Sequence, residues 1–206
     1  MNFLRFSLLN LKVITKLRLC KSSFSNIRFI SIDISEVISS DIMKVEQLIR
    51  KILRFTIIMT ILALAIGVFY RETTKYLLKD VPLDKFIVVS TYLSISHGHT
   101  FVIGAFIPLT FAFITWFVRE KLTGNDIASL NKAFTVYAFG GVMSLFLLIF
   151  KGFEVVKLYS NGVSFDALNS ELFFGNQALR SSLYGTAHLL LGVGVIWYLY
   201  ILWKKL

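Results

Sequence analysis

The chain has 206 residues, of which 56% are hydrophobic and only 17% are charged; a soluble domain carries about 25% charged residues, so this composition excludes an ordinary soluble protein. Its net charge of +10 would suit nucleic acid, but the lysines and arginines fall between apolar runs rather than on one polar face, so we expect the lipid bilayer, and no nucleic acid, as the partner. The single cysteine, Cys20, excludes an intramolecular disulfide.

Residues 1–42 form a basic arm whose composition differs from that of the rest of the chain. All lysines and arginines of this arm precede its first acid, Asp33, and stand among serines and large apolar residues. Such a composition is typical of a mitochondrial transit peptide. Two alternatives stay open. In the first, the arm results from a translation start assigned upstream of the natural bacterial start, which would be Met43. In the second, it is an amphipathic arm on the inner membrane surface.

Residues 43–206 contain four apolar runs that are long enough to cross a bilayer, which takes about 20 residues. These predicted spans cover about residues 52–70, 88–118, 133–150 and 184–203, and each ends in aromatic or basic residues of the kind found at headgroups. Because backbone groups in hydrocarbon need internal hydrogen-bond partners, the runs are predicted to be helices. The expected fold is an all-α, polytopic bundle of four transmembrane helices.

The basic residues that flank the spans predict the orientation of the chain. Arg50, Lys51 and Arg54 precede or open the first span, and Lys204 and Lys205 end the chain. On the other side the basic residues are diluted over longer loops that also hold acids. The positive-inside rule then places both termini in the cytoplasm. We expect the bacterial inner membrane, with the mitochondrial inner membrane as the alternative.

All three histidines of the chain lie inside predicted spans, His97 and His99 in the second and His188 in the fourth. An imidazole in hydrocarbon is costly unless it is hydrogen-bonded, ligating or facing water. Residues two apart on a helix point about 200° away from each other, so His97 and His99 do not face one central ligand. His97 shares its face with small and polar residues and is the better ligand, whereas depth in the membrane favours His99 as the partner of His188.

Two imidazoles that face each other across a helix bundle, with glycines beside them, are what a b-type haem needs. We therefore expect haem b between the second and fourth spans, with His97 and His188 as its axial metal ligands. The propionates need cations at the membrane surface, and Arg71, Lys151 and Arg180 stand at the outer ends of spans. Such a protein would exchange electrons with a membrane redox partner, or would sense redox state or a small gas.

Two other hypotheses stay open for the histidines. In the first, they are packing or proton-relay groups of a structural subunit or transporter-like protein without haem. In the second, they bind copper or zinc. Two observations argue against this hypothesis: His97 and His99 point in opposite directions, and the spans lack thiolates and carboxylates. The spans hold no nucleophile–base pair, phosphate loop or paired carboxylates, so nothing indicates a hydrolase, and whether the protein is an enzyme stays open.

Three motifs follow one another along the spans: GVFYRETTK at residues 67–75, the pair His97 and His99, and SSLYGTAHLLLGVGVI at residues 181–196. Together they resemble a family of small four-helix bacterial membrane proteins, the domain of unknown function 2871. The likeness begins near Val45 and reaches the end of the chain. It implies the four-helix fold, and its name implies no activity.

A second resemblance concerns the histidines alone. His97-Gly98, followed by Pro108, is similar to the second helix of the haem-copper oxidase catalytic subunit, where a His-Gly supplies a low-spin haem ligand. His188, followed by Gly194, resembles the oxidase helix that supplies the opposite ligand. This likeness implies His97 and His188 as axial ligands and nothing more. Oxygen reduction is not implied, because the chain has no histidine cluster for copper.

Overall fold

The structure is a computed structural model. It describes the backbone of residues 24–79 and 81–206, and the surroundings of side chains from residue 40 onward except at positions 77, 80, 83, 84, 88, 89 and 93. The chain divides into two compact units, residues 1–40 and 41–206. The described part of the first unit is helical. Much of the predicted basic arm, with Cys20, lies outside the described residues, and its role stays a prediction.

The described residues form six α-helices and no strand. A π-helix, Val102–Phe106, continues the second α-helix directly into the third, and 3-10 turns cover Arg119–Lys121 and Phe165–Ala167. The α-helices are α1 (Phe24–Leu77), α2 (Leu83–Phe101), α3 (Ile107–Phe117), α4 (Gly124–Ser160), α5 (Leu168–Glu171) and α6 (Gln177–Trp203).

Within the described residues, four segments are long and apolar enough to cross a membrane, and they confirm the predicted all-α fold of four transmembrane helices. Spans one to four are Ser40–Tyr76, Lys85–Phe117, Gly124–Ser160 and Gln177–Trp203. The helices run past the predicted apolar runs because polar residues continue them. Thr123, for example, opens α4 as an N-cap in a capping box with Asp126.

The spans alternate in direction, so the bundle has two ends. At the end where spans one and three begin, here the proximal end, Lys51 bonds to Asn131 and Lys205 of the chain terminus lies 2.8 Å from Asp126. The opposite end is the distal end. Which end faces the cytoplasm stays a prediction from the flanking charges.

Span three contacts each of the other spans. Its Phe134 ring meets Phe55 of span one edge-on, with centroids 5.6 Å apart. Span four approaches most closely: a Cβ added to Gly194 would lie 2.5 Å from the backbone nitrogen of Tyr137. Gly140 likewise leaves no room for a Cβ, which would lie 2.5 Å from the nitrogen of Leu191. Small residues that let backbones touch are a usual way for helices to associate in membranes.

Large apolar side chains also cover the outside of the bundle. Ile58 is 63% exposed, Phe113 64%, Phe146 68% and Ile196 71%. Soluble monomers rarely expose contiguous apolar patches above a few hundred Å². This surface therefore requires lipid around it, in agreement with four membrane-spanning helices.

The distal loop between spans three and four is held by one carboxylate. Phe173 and Phe174 take positive φ angles of 57° and 60°, a region that is unfavourable for bulky residues. Glu154 of span three accepts the backbone N–H of Phe173 at 3.0 and 2.9 Å with its two oxygens. Arg180 donates to the carbonyl oxygen of Asn169 at 2.8 Å and so closes the same loop onto span four.

Candidate functional site

His97 is half-buried and faces span one. Its Nδ1 lies 2.7 Å from the carbonyl oxygen of Ala63. Because a carbonyl oxygen only accepts hydrogen bonds, Nδ1 must carry the proton and donate. In the neutral ring, Nε2 then holds the lone pair, and it lies on the side of the imidazole turned away from Ala63.

The close approach of His97 to span one depends on Gly67. A Cβ added there would lie 2.8 Å from Nδ1 and 2.9 Å from Cε1 of His97. Any side chain at position 67 would therefore push the imidazole off the Ala63 carbonyl. Sequence reasoning did not connect Gly67 with His97, although a glycine inside the motif GVFYRETTK was the available signal.

The small and polar residues on the face of His97 can admit either another helix or a flat ligand. In the structure span one fills this face: a Cβ added to Gly104 would lie 2.8 Å from Cε of Met59, and His97 itself contacts Ala63. Of these two, the structure places a helix there, and small residues admit a neighbouring helix as readily as a ligand. The half-buried ring of His97 lies at the interface of spans one and two. Its role as a ligand stays a prediction.

His99 and His188 are both exposed and share one local geometry. Nδ1 of His99 donates to the carbonyl of Ile95 at 3.0 Å, and Nδ1 of His188 donates to the carbonyl of Tyr184 at 2.7 Å. Both acceptors lie four residues earlier on the same helix. As in His97, the neutral ring therefore keeps its lone pair on Nε2.

The histidines are not in contact with one another. Among the described residues, no hydrogen bond or ring contact joins His97 to His188; His97 instead contacts the ring of Phe101, with centroids 5.7 Å apart, and His188 that of Tyr184, with centroids 6.3 Å apart. The described residues also contain no group of three or more His, Cys, Asp or Glu that could hold a metal ion.

The surroundings of His188 agree only partly with the expected glycine opening. Added Cβ atoms on Gly185 and Gly192 would meet nothing within 4 Å, so both glycines border open space. Gly194 is different, because span three fills its position. The ring of Tyr184 is fixed nearby, since its hydroxyl donates to the carbonyl of Leu147 at 2.9 Å. His188 thus lies on the exposed surface of the bundle, with open space at two nearby glycines.

The π-helix follows the histidine pair directly and changes which residues share a face. The N–H of Ile107 donates to the carbonyl of Val102, five residues earlier. One extra residue in a turn rotates everything beyond it by about 100°. On a regular helix His97 and Pro108 share one face, and the π-helix at Val102–Phe106 interrupts this stripe.

The three predicted propionate cations lie at the distal end in separate settings. Arg71 is exposed, with Nε 4.0 Å from Glu72. Lys151 stands over the ring of Tyr92, with Nζ 5.0 Å from the centroid. Arg180 donates from Nη1 to Asn169. In the part of the chain that the structure describes, no hydrogen bond joins any two of these cations, but Lys151 and Arg180 lie near enough for their like charges to repel each other.

Four apolar helices packed through glycines define a small α-helical integral membrane protein. The chain belongs to the family described as "Protein of unknown function (DUF2871)", whose model matches residues 49–205. This match confirms the family resemblance that the three motifs carry. No curated protein and no solved structure matches the chain, so the likeness to haem-copper oxidase helices is not shown by these comparisons.

Proposed function

We propose that the protein is a membrane haem-b protein, which transfers electrons or senses redox state or a small gas. One observation carries the proposal: in His97, His99 and His188 alike, Nδ1 donates to a backbone carbonyl. Histidines that ligate metals usually have this second hydrogen bond, because it fixes the tautomer and leaves Nε2 as the ligand atom. The donor set therefore fits a b-type haem.

His97 and His188 are proposed as the axial pair. The bond from His97 to Ala63 holds its ring on span one, and the open space at Gly185 and Gly192 lies beside His188. A bound haem would supply one-electron chemistry, with a potential set by its axial ligands and surroundings. His99 is the competitor of His97, because it is exposed on the same helix with the same tautomer.

The distal cations are proposed to hold the propionates. Arg180 uses one terminal nitrogen for Asn169 and has further N–H donors, since a guanidinium carries five. Lys151 lies over Tyr92 in the distal part of span three. Arg71 is 82% exposed, so its pairing with a propionate would contribute least.

The test is the absorbance spectrum of the detergent-purified full chain, oxidised and then reduced with dithionite. We expect a bis-histidine spectrum that His97→Ala and His188→Ala each abolish, whereas His99→Ala should weaken or shift the spectrum but leave it recognisable. Loss in His99→Ala and retention in His97→Ala would move the ligand assignment to His99. A wild-type protein without haem after expression with haem precursors would refute the proposal.

A second candidate is a structural subunit without haem in which His97 joins spans one and two. The 2.7 Å bond to Ala63 favours it, since such a bond stabilises a helix pair by itself. Under this hypothesis His97→Ala lowers the midpoint of thermal unfolding in a preparation that carries no haem, whereas His188→Ala leaves the midpoint unchanged. Unfolding followed by circular dichroism, with haem content measured in parallel, separates the two candidates.

A further inference from the structure

A groove runs between spans one and three at the proximal end, and Lys51 lies at its centre. Nζ of Lys51 donates to Oδ1 of Asn131 at 2.7 Å and to Oγ1 of Thr135 at 3.0 Å. These two bonds hold the ammonium of the exposed Lys51 against span three. An ammonium has three N–H donors, so one stays available for a further acceptor.

Two cavities open on either side of Lys51. The first has a volume of about 400 Å³ and includes Lys44, Gln47 and Asn131 in its lining. The second has a volume of about 560 Å³ and includes Arg50, Arg54, Phe55 and Ile58. Lys51 lines both cavities, and together they form the groove.

The groove carries an excess of positive charge. Lys44 is paired with Asp41 at 2.9 Å, and Arg50 lies 3.7 Å from Glu46 in an exposed pair, which is a weak interaction. Lys51 is hydrogen-bonded only to neutral groups. Arg54 makes no ion pair within the described residues. Lys51 and Arg54 are thus two cations without a carboxylate partner in that part of the chain.

The walls of the second cavity become apolar with distance from the cations. Phe55, Ile58, Phe134 and Ala138 line it together with the basic residues. Ile58 is 63% exposed and lies one turn beyond Arg54, toward the middle of span one. The groove therefore offers positive charge at one end and an apolar wall at the other.

We propose that this groove binds one anionic phospholipid, with the phosphate at Lys51 and Arg54 and an acyl chain along Phe55 and Ile58. Basic pockets between transmembrane helices are a known kind of site for anionic headgroups. The apolar wall favours a lipid over a free anion, because inorganic phosphate would use only the cationic end. The unmatched charge favours an anionic lipid over a zwitterionic one.

The test is lipid binding to the full chain in a neutral detergent, measured by native mass spectrometry. Phosphatidylglycerol is expected to bind with one saturable site per chain and at least tenfold more tightly than phosphatidylcholine. Arg54→Gln should weaken phosphatidylglycerol about fivefold, since this is the usual contribution of one cation near an anionic surface. Lys132→Gln is the matched control, because Lys132 lies at the same end but lines neither cavity, and it should bind as the wild type does.

Ile58→Trp provides a second variant that leaves the charges intact. Ile58 is exposed, so the larger ring is expected to fill the groove without disturbing the core, and phosphatidylglycerol should bind more weakly. Equal binding of both lipids, or unchanged binding by Arg54→Gln, would overturn the proposal. Displacement of phosphatidylglycerol by millimolar inorganic phosphate would indicate a free-anion site instead. Formation of a dimer that Arg54→Gln dissociates would assign the groove to a second copy of the chain.

Discussion

The hydroxyl of Tyr137 donates to the backbone carbonyl of Ile103 across the interface of spans three and two. Ile103 lies in the π-helix, where N–H groups donate to carbonyls five residues earlier, as Ile107 does to Val102. The donor that this pattern assigns to Ile103 would be the N–H of residue 108, which is a proline and has none. Tyr137, which is fully buried, therefore supplies the missing hydrogen bond from a neighbouring helix.

Tyr137→Phe should destabilise the bundle by about 1–3 kcal/mol, because it leaves the buried Ile103 carbonyl without a donor. The free energy of unfolding in detergent is the measurement. Tyr200→Phe, at a side chain that is 57% exposed, is the control and should change it by less than about 0.5 kcal/mol. Pro108→Ala restores an N–H, so Tyr137→Phe should cost less in that background. An equal loss of stability in both backgrounds would mean that Tyr137 does not compensate for the N–H that Pro108 lacks.

Gly67→Ala should displace the imidazole of His97 and break its bond to Ala63. The new Cβ would lie 2.8 Å from Nδ1, closer than side chains tolerate, and we expect a loss of about 1–3 kcal/mol. Thermal unfolding measures the loss. Gly185→Ala is the matched control, since its Cβ would meet nothing within 4 Å, and it should be neutral or slightly stabilising. If both variants unfold at the same temperature, the contact of His97 with span one is not needed for stability.

Gly194→Val should push spans three and four apart. Even the first added carbon would lie 2.5 Å from the nitrogen of Tyr137, so the backbones must separate and packing is lost along both helices. We expect at least about 3 kcal/mol of destabilisation, seen as lower thermal stability or loss of the protein from the membrane fraction. Gly192→Val, two residues away and beside open space, should remain folded. A stable Gly194→Val variant would contradict this packing.

Glu154→Ala should loosen the distal loop while the spans stay folded. The carboxylate holds the N–H of Phe173, and a hydrogen bond to a charged group contributes about 1.5–3 kcal/mol. Hydrogen exchange of residues 171–176 should accelerate, and limited proteolysis should cut there. Glu171→Ala, at an exposed residue of the same loop, serves as the control. Unchanged exchange in Glu154→Ala would mean that the positive φ angles are maintained without it.

The four-helix fold could be predicted from the sequence because the hydrophobicity of a span depends only on the residues of that span. The apolar stretches with aromatic and basic ends predicted all four spans, and the motifs around Gly67, His97 and His188 predicted the family. The helices extend further than the runs, since residues such as Asp126 cap them in polar surroundings. None of this required knowledge of which helices are neighbours.

The candidate site was harder to predict because it depends on helix neighbours and on helix register. The small residues around His97 are compatible with a neighbouring helix or with a ligand, and only the structure shows that Met59 and Ala63 of span one pack against that face. The π-helix could not be inferred from Pro108, since proline is also compatible with a simple kink. Gly194 lies near His188 along span four but receives the backbone of span three, so it opens no space beside the histidine.

The π-helix at Val102–Phe106 makes span two sensitive to its length at a single position. Deleting one residue there would allow a continuous α-helix and would turn residues 83–101 by about 100° relative to Ile107–Phe117. His97 would then turn away from Gly67, although only one residue of the chain had been removed. Insertions and deletions in this turn are thus expected to change the face presented by the histidines more than substitutions do.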